Sequence, residues 1–289
     1  MSAHASPHAQ AGPAEISLVP EEGWHCSHLY YRFDRAALRG MSGEAIAGGR
    51  TEIVGLLNGQ AADDLPADDP PARVQVSIVS GHKADFGLML LDPDPLRIDA
   101  FHQRLMATAL GPALVPTYSF VSVTEVSEYV PTVEQYGKRL VAEGEDAAGP
   151  AYQAKLRAYE GREVAMRRQR LTPDMPPWPS FCFYPMNKKR KVDENWFLLD
   201  FDRRSELMAE HGRTGMTFGG RVTQLITVGL GFDDWEWGVS LWARNPQFLK
   251  EIVYRMRFDE ASARYAEFGP FYTSYVTTAE RMLAHCRVG

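Results

Sequence analysis

A histidine, a tyrosine, a lysine and a glutamine in the second half of the chain have types and spacings that could do chemistry. In the stretch Arg203-Arg204-Ser205-Glu206-Leu207-Met208-Ala209-Glu210-His211, Leu207 and Met208 lie four and three residues before His211. That spacing puts the imidazole on the apolar stripe of a helix, facing inward. The helix reads as short, Asp202 to His211, with Gly212 as its C-cap. A neutral imidazole in that place could ligate a metal or a haem iron. It could also be a core histidine bonded to a carbonyl, or a C-capping cation favoured by the helix dipole.

The run Phe181-Cys182-Phe183-Tyr184-Pro185-Met186-Asn187-Lys188 reads as a strand. Its period of two puts Cys182, Tyr184, Met186 and Lys188 on one face. That lining is soft and apolar at one end and cationic at the other, which suits a large flat apolar ligand with carboxylate arms. An ordinary half-buried strand ending in a lysine has the same pattern. Pro185 removes a ladder donor, which predicts an edge strand or a bulge there. Gln224 shares a face with Val222 and Ile226, and a buried amide needs partners, either structural or a ligand. Arg170 follows Arg162, Arg167 and Arg168, so a charged helix face is its plain reading. A planar guanidinium can also clamp a carboxylate in bidentate fashion.

Other features carry less. Lys188-Lys189-Arg190-Lys191 is a short basic run of the kind that can mark nucleic-acid patches. In an acidic chain, directly after a strand, a solvated turn or a rim for an anionic substrate fits better. Trp235-Glu236-Trp237 and Trp242 read as sheet-packing aromatics. His25 and His28 could suggest a metal site, but alternation points them to opposite faces. No GxGxxG, GxxxxGK, HExxH or GxSxG occurs, so nucleotide, zinc-protease and hydrolase readings lack motif support.

The 289 residues, 45% hydrophobic and 24% charged, exclude a wholly disordered chain. A net charge of −6 gives no global field for nucleic acid, and no apolar run is long enough for a membrane span. Met1 to Pro13 has no Lys or Arg and no apolar h-region, so it is not a secretory signal. Three widely spaced cysteines, Cys26, Cys182 and Cys286, argue against a disulfide framework and for a reducing, cytoplasmic compartment.

Along the chain, residues 1–20 read as a disordered leader and 61–71 as an acidic, proline-rich loop. The first half, 21–130, reads as a strand over 28–33, a helix over 34–58, strands over 74–79 and 86–91, a helix over 95–110 and a strand over 118–126. A polar helical connector, 131–179, is stopped by Pro173, Pro176, Pro177 and Pro179. The second half, 180–289, repeats the order, with strands over 181–186, 222–227, 235–242 and 271–276 and helices over 202–211 and 246–258. The fold class is therefore α+β. Two tandem ferredoxin-like βαββαβ units, with antiparallel sheets, would pack face to face or close into a barrel.

Tyr184-Pro185-Met186-Asn187-Lys188-Lys189-Arg190 resembles the YPMSKKR motif of the coproheme decarboxylases in the chlorite dismutase superfamily, of the Gram-positive type with a distal glutamine. Glu194-Asn195-Trp196, Glu210-His211-Gly212, Trp235-Glu236-Trp237-Gly238-Val239 and the long run from Met256 to Gly269 also match. The resemblance is dense from Arg170 to Tyr275 and looser from Gly23. It implies tandem ferredoxin-like domains, usually as a homopentamer, with the porphyrin in the C-terminal domain. It implies hydrogen peroxide-dependent decarboxylation of two propionates of Fe-coproporphyrin III (coproheme) to vinyl groups, giving haem b. His211 stands where the family has its proximal iron ligand. Tyr184 matches the radical-forming tyrosine, Lys188 the lysine assisting at the second propionate, and Arg170 a propionate-binding arginine. Met186 matches a pocket-lining methionine, Gln224 the distal glutamine and Ser262 a propionate-contacting serine. Asn187 departs from the usual serine, and its side chain is expected to point away from Tyr184's face with little effect. A transient contact with a ferrochelatase would follow. A chlorite-decomposing enzyme, which carries a distal arginine where this chain has Gln224, and a non-catalytic haem-binding or sensing protein are the competing readings.

Overall fold

A computed structural model describes residues 16–59 and 70–289. Residues 1–15 of the expected leader and 61–69 of the expected acidic loop lie outside the described residues. The first half comprises β1 (His25–Phe33), α1 (Arg35–Gly40), α2 (Gly43–Leu57), β2 (Arg73–Val79), β3 (Phe86–Asp92), α3 (Pro95–Ala107) and β4 (Leu114–Thr124). Helices α4 (Val133–Ala142) and α5 (Pro150–Leu171) follow. The second half comprises β5 (Ser180–Lys188), a small ribbon of β6 (Arg190–Lys191) and β7 (Glu194–Asn195), α6 (Phe201–Met216), β8 (Val222–Val228) and β9 (Trp237–Ala243). It ends with α7 (Pro246–Met256), α8 (Glu260–Ala263), β10 (Ala266–Phe268), β11 (Tyr272–Thr277) and α9 (Ala279–His285).

The main sheet runs β10-β5-β11-β2-β3-β1-β4-β8-β9, and β9 returns to pair with β5. All these pairings are antiparallel. The order within each half is the same, β2-β3-β1-β4 and β11-β5-β9-β8. The halves join where β11 pairs with β2 and β4 with β8, so the sheet closes into a barrel and the expected α+β class holds. Closure leaves few unpaired strand edges.

Alternation along the strands sorts side chains into layers. Tyr30, Phe120, Phe181, Phe183, Trp242 and Tyr272 fill one core, with strand residues from both halves. Cys182, Tyr184, Val222, Val239 and Leu241 point the other way and pack with Leu249 and Ile252 of α7. A third core lies under α1, α2 and α3, and Ala279, Met282, Leu283, Cys286 and Val288 of the chain's end complete it.

Several expectations are corrected. The helix expected over 34–58 is two helices, because Ser42 caps α2 by accepting the Ala45 N–H at 3.1 Å. The connector likewise holds two helices, broken near Gly144, whose φ is +99°. Helix α3 stops at Ala107, so β4 begins earlier than the expected residue 118. Gly212 does not end α6, which runs to Met216. A helical glycine costs only about 1 kcal/mol relative to alanine, and packing of α6 on α7 and α8 outweighs it. His211 is thus in the body of the helix and not at its C-terminal end.

Strand β5 is not an edge strand. It pairs with β9 on one side and with β11 and then β10 on the other. Pro185 sits where β11 has ended and β10 has not begun, so its missing donor faces a gap in that ladder. Its carbonyl accepts the Gly269 N–H at 2.9 Å. A Cβ on Gly269 would lie 2.7 Å from Pro185 Cγ and 2.9 Å from Trp235 Cζ2. Gly269→Ala should therefore destabilise the protein by about 1–3 kcal/mol through overpacking, measured as a lowered midpoint in urea denaturation with unchanged slope.

Candidate functional site

The alternation of β5 turns Cys182, Tyr184, Met186 and Lys188 to the face covered by helices, as expected from the sequence. Tyr184 is buried; its ring stacks on Phe271 at 4.3 Å between centroids and leans on Phe268 at 5.8 Å. Burial pushes the phenol pKa well up, and Cys182 adds to this against the opposing effect of Arg257. A neutral phenol beside apolar rings therefore has little tendency to lose a proton by itself. Met186 is half-buried at the margin of the same cluster. Lys188 continues the face to its cationic end. Its Nζ lies 4.0 Å from the centroid of the Trp196 ring and donates to the Ala261 carbonyl at 3.2 Å. Burial lowers its pKa to about 8, partly offset by the charge of Asp259.

Helix α7 packs on this face, and helix α6 packs on α7 and α8. The N-cap of α6, Asp200, accepts the Arg203 N–H at 2.7 Å, and Leu207 and Met208 face a small core with Trp196, Ala261 and Tyr265. His211 follows one turn later, its side chain 28% exposed beside a carboxylate only 2% exposed. His211 Nδ1 donates to Asp259 Oδ2 at 2.9 Å. Asp259 is also the N-cap of α8, where its Oδ1 accepts the Ser262 N–H at 2.8 Å. Burial pushes the Asp259 carboxyl up, but the bonds and charge from His211 and the Ser262 donors outweigh it and hold the group below its ordinary range. In the neutral ring, an acceptor-only carboxylate on Nδ1 fixes the tautomer and leaves Nε2 with its lone pair for a metal. One imidazole supplies one ligand, which suits a metal whose remaining ligands come with it.

Gln224 comes from β8, half-buried between Val222 and Ile226 as the alternation requires. Its Nε2 lies 3.8 Å from where a Cβ on Gly215 would be, one turn beyond His211 on α6. Ser262 is buried, with its hydroxyl 3.3 Å from His211 Nδ1. Arg170 is half-buried in the last turn of α5, and burial lowers its pKa. The structure thus brings His211, Ser262 and Lys188 together around Asp259 and Ala261, places Gln224 against α6, and leaves Arg170 on the helix that precedes β5.

The remaining candidates are otherwise engaged. His25 Nε2 bonds the Leu18 carbonyl and His28 Nε2 bonds Ser240 Oγ, so the two form no metal pair. In the basic run, Lys189 pairs with Glu194 and Arg190 with Glu236. Trp242 is buried and donates Nε1–H to Gln75 Oε1 at 2.7 Å, a sheet-packing role as expected. No helix among the described residues is long and apolar enough to cross a membrane.

Asp259, Trp196 and Arg257 are parts of the site that residue types alone did not single out. Asp259 could have been found as an aspartate three residues before Ser262, a helix N-cap spacing. Trp196 supplies the ring under Lys188. Arg257 lies 3.8 Å from the centroid of Phe268, the ring against Tyr184.

Three comparisons bear on this arrangement. The family model described as Chlorite dismutase matches residues 52–277. A protein named coproheme decarboxylase from Staphylococcus carnosus (strain TM300) is 35% identical over 269 residues, 92% of this chain and 97% of that one. Among solved structures, a haem-binding protein from Thermus thermophilus superposes with a TM-score of 0.70 at 33% identity, covering 92% of this chain and 96% of that one. A mutant chlorite dismutase from Candidatus Nitrospira defluvii has the same fold, with a TM-score of 0.66 at 16% identity over 93% and 98% of the two chains. The extent of the family match, together with a relative of this identity and coverage, establishes that the chain belongs to the chlorite dismutase family.

Proposed function

We propose that the protein is a coproheme decarboxylase: it converts two propionates of Fe-coproporphyrin III to vinyl groups with hydrogen peroxide and releases haem b. The observation that carries this reading is the division of labour on one strand face. A buried phenol, a methionine and a half-buried amine follow one another on β5, and α6, packed on α7 and α8, presents an imidazole whose Nδ1 is already committed to Asp259. A plain haem binder has no need of a carboxylate-reading amine in line with a shielded phenol.

The residues fit the group. His211 Nε2 would hold the iron, Met186 would line the macrocycle and Gln224 would face it from β8. Arg170 and Lys188 are cations whose pKa is lowered by burial, which makes them ready partners for carboxylates. Ser262 would reach a carboxylate by giving up its 3.3 Å contact with His211. When bound, the iron supplies the oxidising equivalents of peroxide. Tyr184 gives up an electron and its phenolic proton, and the resulting phenoxyl takes a hydrogen atom from the β-carbon of a propionate. The carbon radical then loses CO₂ and passes a second electron to the peroxide-derived oxidant, leaving the vinyl group, so each vinyl consumes one peroxide, which ends as two waters. Lys188 orients the second propionate or gives it a proton, and Arg170 fixes a carboxylate. Residues 180–289 would carry the porphyrin site, with 21–130 completing the barrel and 131–179 linking the two. The reading brings with it a cytoplasmic homopentamer and a transient contact with a ferrochelatase.

Tyr184→Phe should still bind coproheme and should lose decarboxylation; product mass by chromatography after peroxide addition checks this, and normal turnover would reject the radical role. Lys188 is charged below about pH 8 and neutral above it. The second decarboxylation should therefore fall on the alkaline side with an apparent pKa at or above about 8, and Lys188→Met should remove that limb while slowing the step by about 10²-fold. Asp259→Asn should keep the fold and weaken iron porphyrin binding by about 10–100-fold, read by optical titration. Sustained oxygen release from chlorite is not expected.

A further inference from the structure

Glu236 is buried, 4% exposed, in the turn that leads into β9, and the reaction described above makes no use of it. The regular β5–β9 ladder ends at Met186 opposite Trp237. Beyond that point, side chains take over from backbone. Glu236 Oε2 accepts the Lys188 N–H at 2.9 Å, and the Glu236 N–H donates to Asn187 Oδ1 at 2.8 Å. The other carboxylate oxygen, Oε1, meets the Arg190 guanidinium. One acidic residue thus fastens β5 at Asn187 and Lys188 and the ribbon that follows it at Arg190. On the opposite side β10 pairs through Lys188, and the Lys189 N–H donates to the Tyr265 carbonyl at 2.8 Å. The backbone of Lys188 is held from both sides while its amine passes over Trp196 to the Ala261 carbonyl.

We propose that Glu236 is a positioning residue: with Asn187 it forms a clamp past the end of the β5–β9 ladder that fixes the amine of Lys188 in the cleft between Trp196 and α8, where the substrate's carboxylates are read. The assignment of that cleft to carboxylates rests on the functional reading above; the clamp itself rests on the hydrogen bonds. It also gives Asn187 a purpose. Its side-chain oxygen accepts the Glu236 N–H and so forms one half of the clamp. The ionisable groups facing the amine are Asp259 at the start of α8 and, behind it, His211 on α6; Trp196 and Ala261 supply the remaining walls.

The test uses the full-length protein without porphyrin. Acetylation of Lys188 by acetic anhydride is followed against pH by peptide mass spectrometry, which reports the amine's midpoint independently of turnover. Wild type should show a midpoint near 8. Glu236→Gln keeps an acceptor for the Lys188 N–H and should retain that midpoint. Glu236→Ala should let the amine out into water and raise the midpoint by one pH unit or more, toward ordinary lysine. Asn187→Ala removes one bond of the clamp and should move it the same way by a smaller amount, about 0.3 unit or more. If Glu236→Ala does not fold by circular dichroism, Asn187→Ala decides. Folded variants with the midpoint still near 8 would overturn the clamp. Turnover with coproheme and peroxide is measured beside it. A raised midpoint together with undiminished turnover in Lys188→Met would leave the clamp standing and reject the role given to Lys188.

Discussion

The two carboxylate oxygens of Asp259 hold the site together. One accepts the Ser262 N–H and starts α8; the other accepts His211 Nδ1–H and aims the imidazole. A single buried side chain therefore sets the place of a helix and the orientation of a ring on a different helix. The group stays ionised because these donors outweigh the cost of burial. A neutral carboxyl would hold neither partner as firmly, since hydrogen bonds to a charged acceptor are about twice as strong as those between neutral groups. Lys188 is tied to the same place, through the carbonyl of Ala261 and the charge of Asp259.

The opposite wall depends on β5 being central in the sheet. Paired on both sides, the strand cannot slip by one residue without sending Phe181 and Phe183 to the helix side and Tyr184 into the aromatic core. Phe183 is packed against Tyr30, Tyr118, Phe120, Tyr272 and His28. That interior is the anchor for the reactive face behind it. The side to which Tyr184 points is thus fixed by aromatic residues on the far side of the sheet.

Much of this was legible in the sequence. The alternation of 181–188 placed Tyr184, Met186 and Lys188 on one face, and the three- and four-residue spacing turned His211 inward; both patterns are local and survive folding unchanged. What was missed is non-local. Gly212 looked like a helix end because glycine favours caps, yet contacts of α6 with α7 and α8 carry the helix past it. Pro185 suggested an edge because proline lacks a donor, and nothing in its neighbourhood could reveal that two different strands, β11 and β10, share one side of β5 and leave a gap opposite it. Asp259 and Glu236 gained their roles from partners 48 residues away, which residue type alone does not disclose.

The last helix has a consequence for biogenesis. Its Met282 and Leu283, with Cys286 and Val288 beyond it, fill the core under α2, and the guanidinium groups of Arg35 and Arg50 bond the carbonyls of Cys286 and Val288. A ribosome making this chain therefore exposes the helices of the first half long before the residues that seal them exist. Until residues 279–288 have been made, that half keeps an open apolar floor, so its final packing waits on residues that follow the whole second half of the barrel.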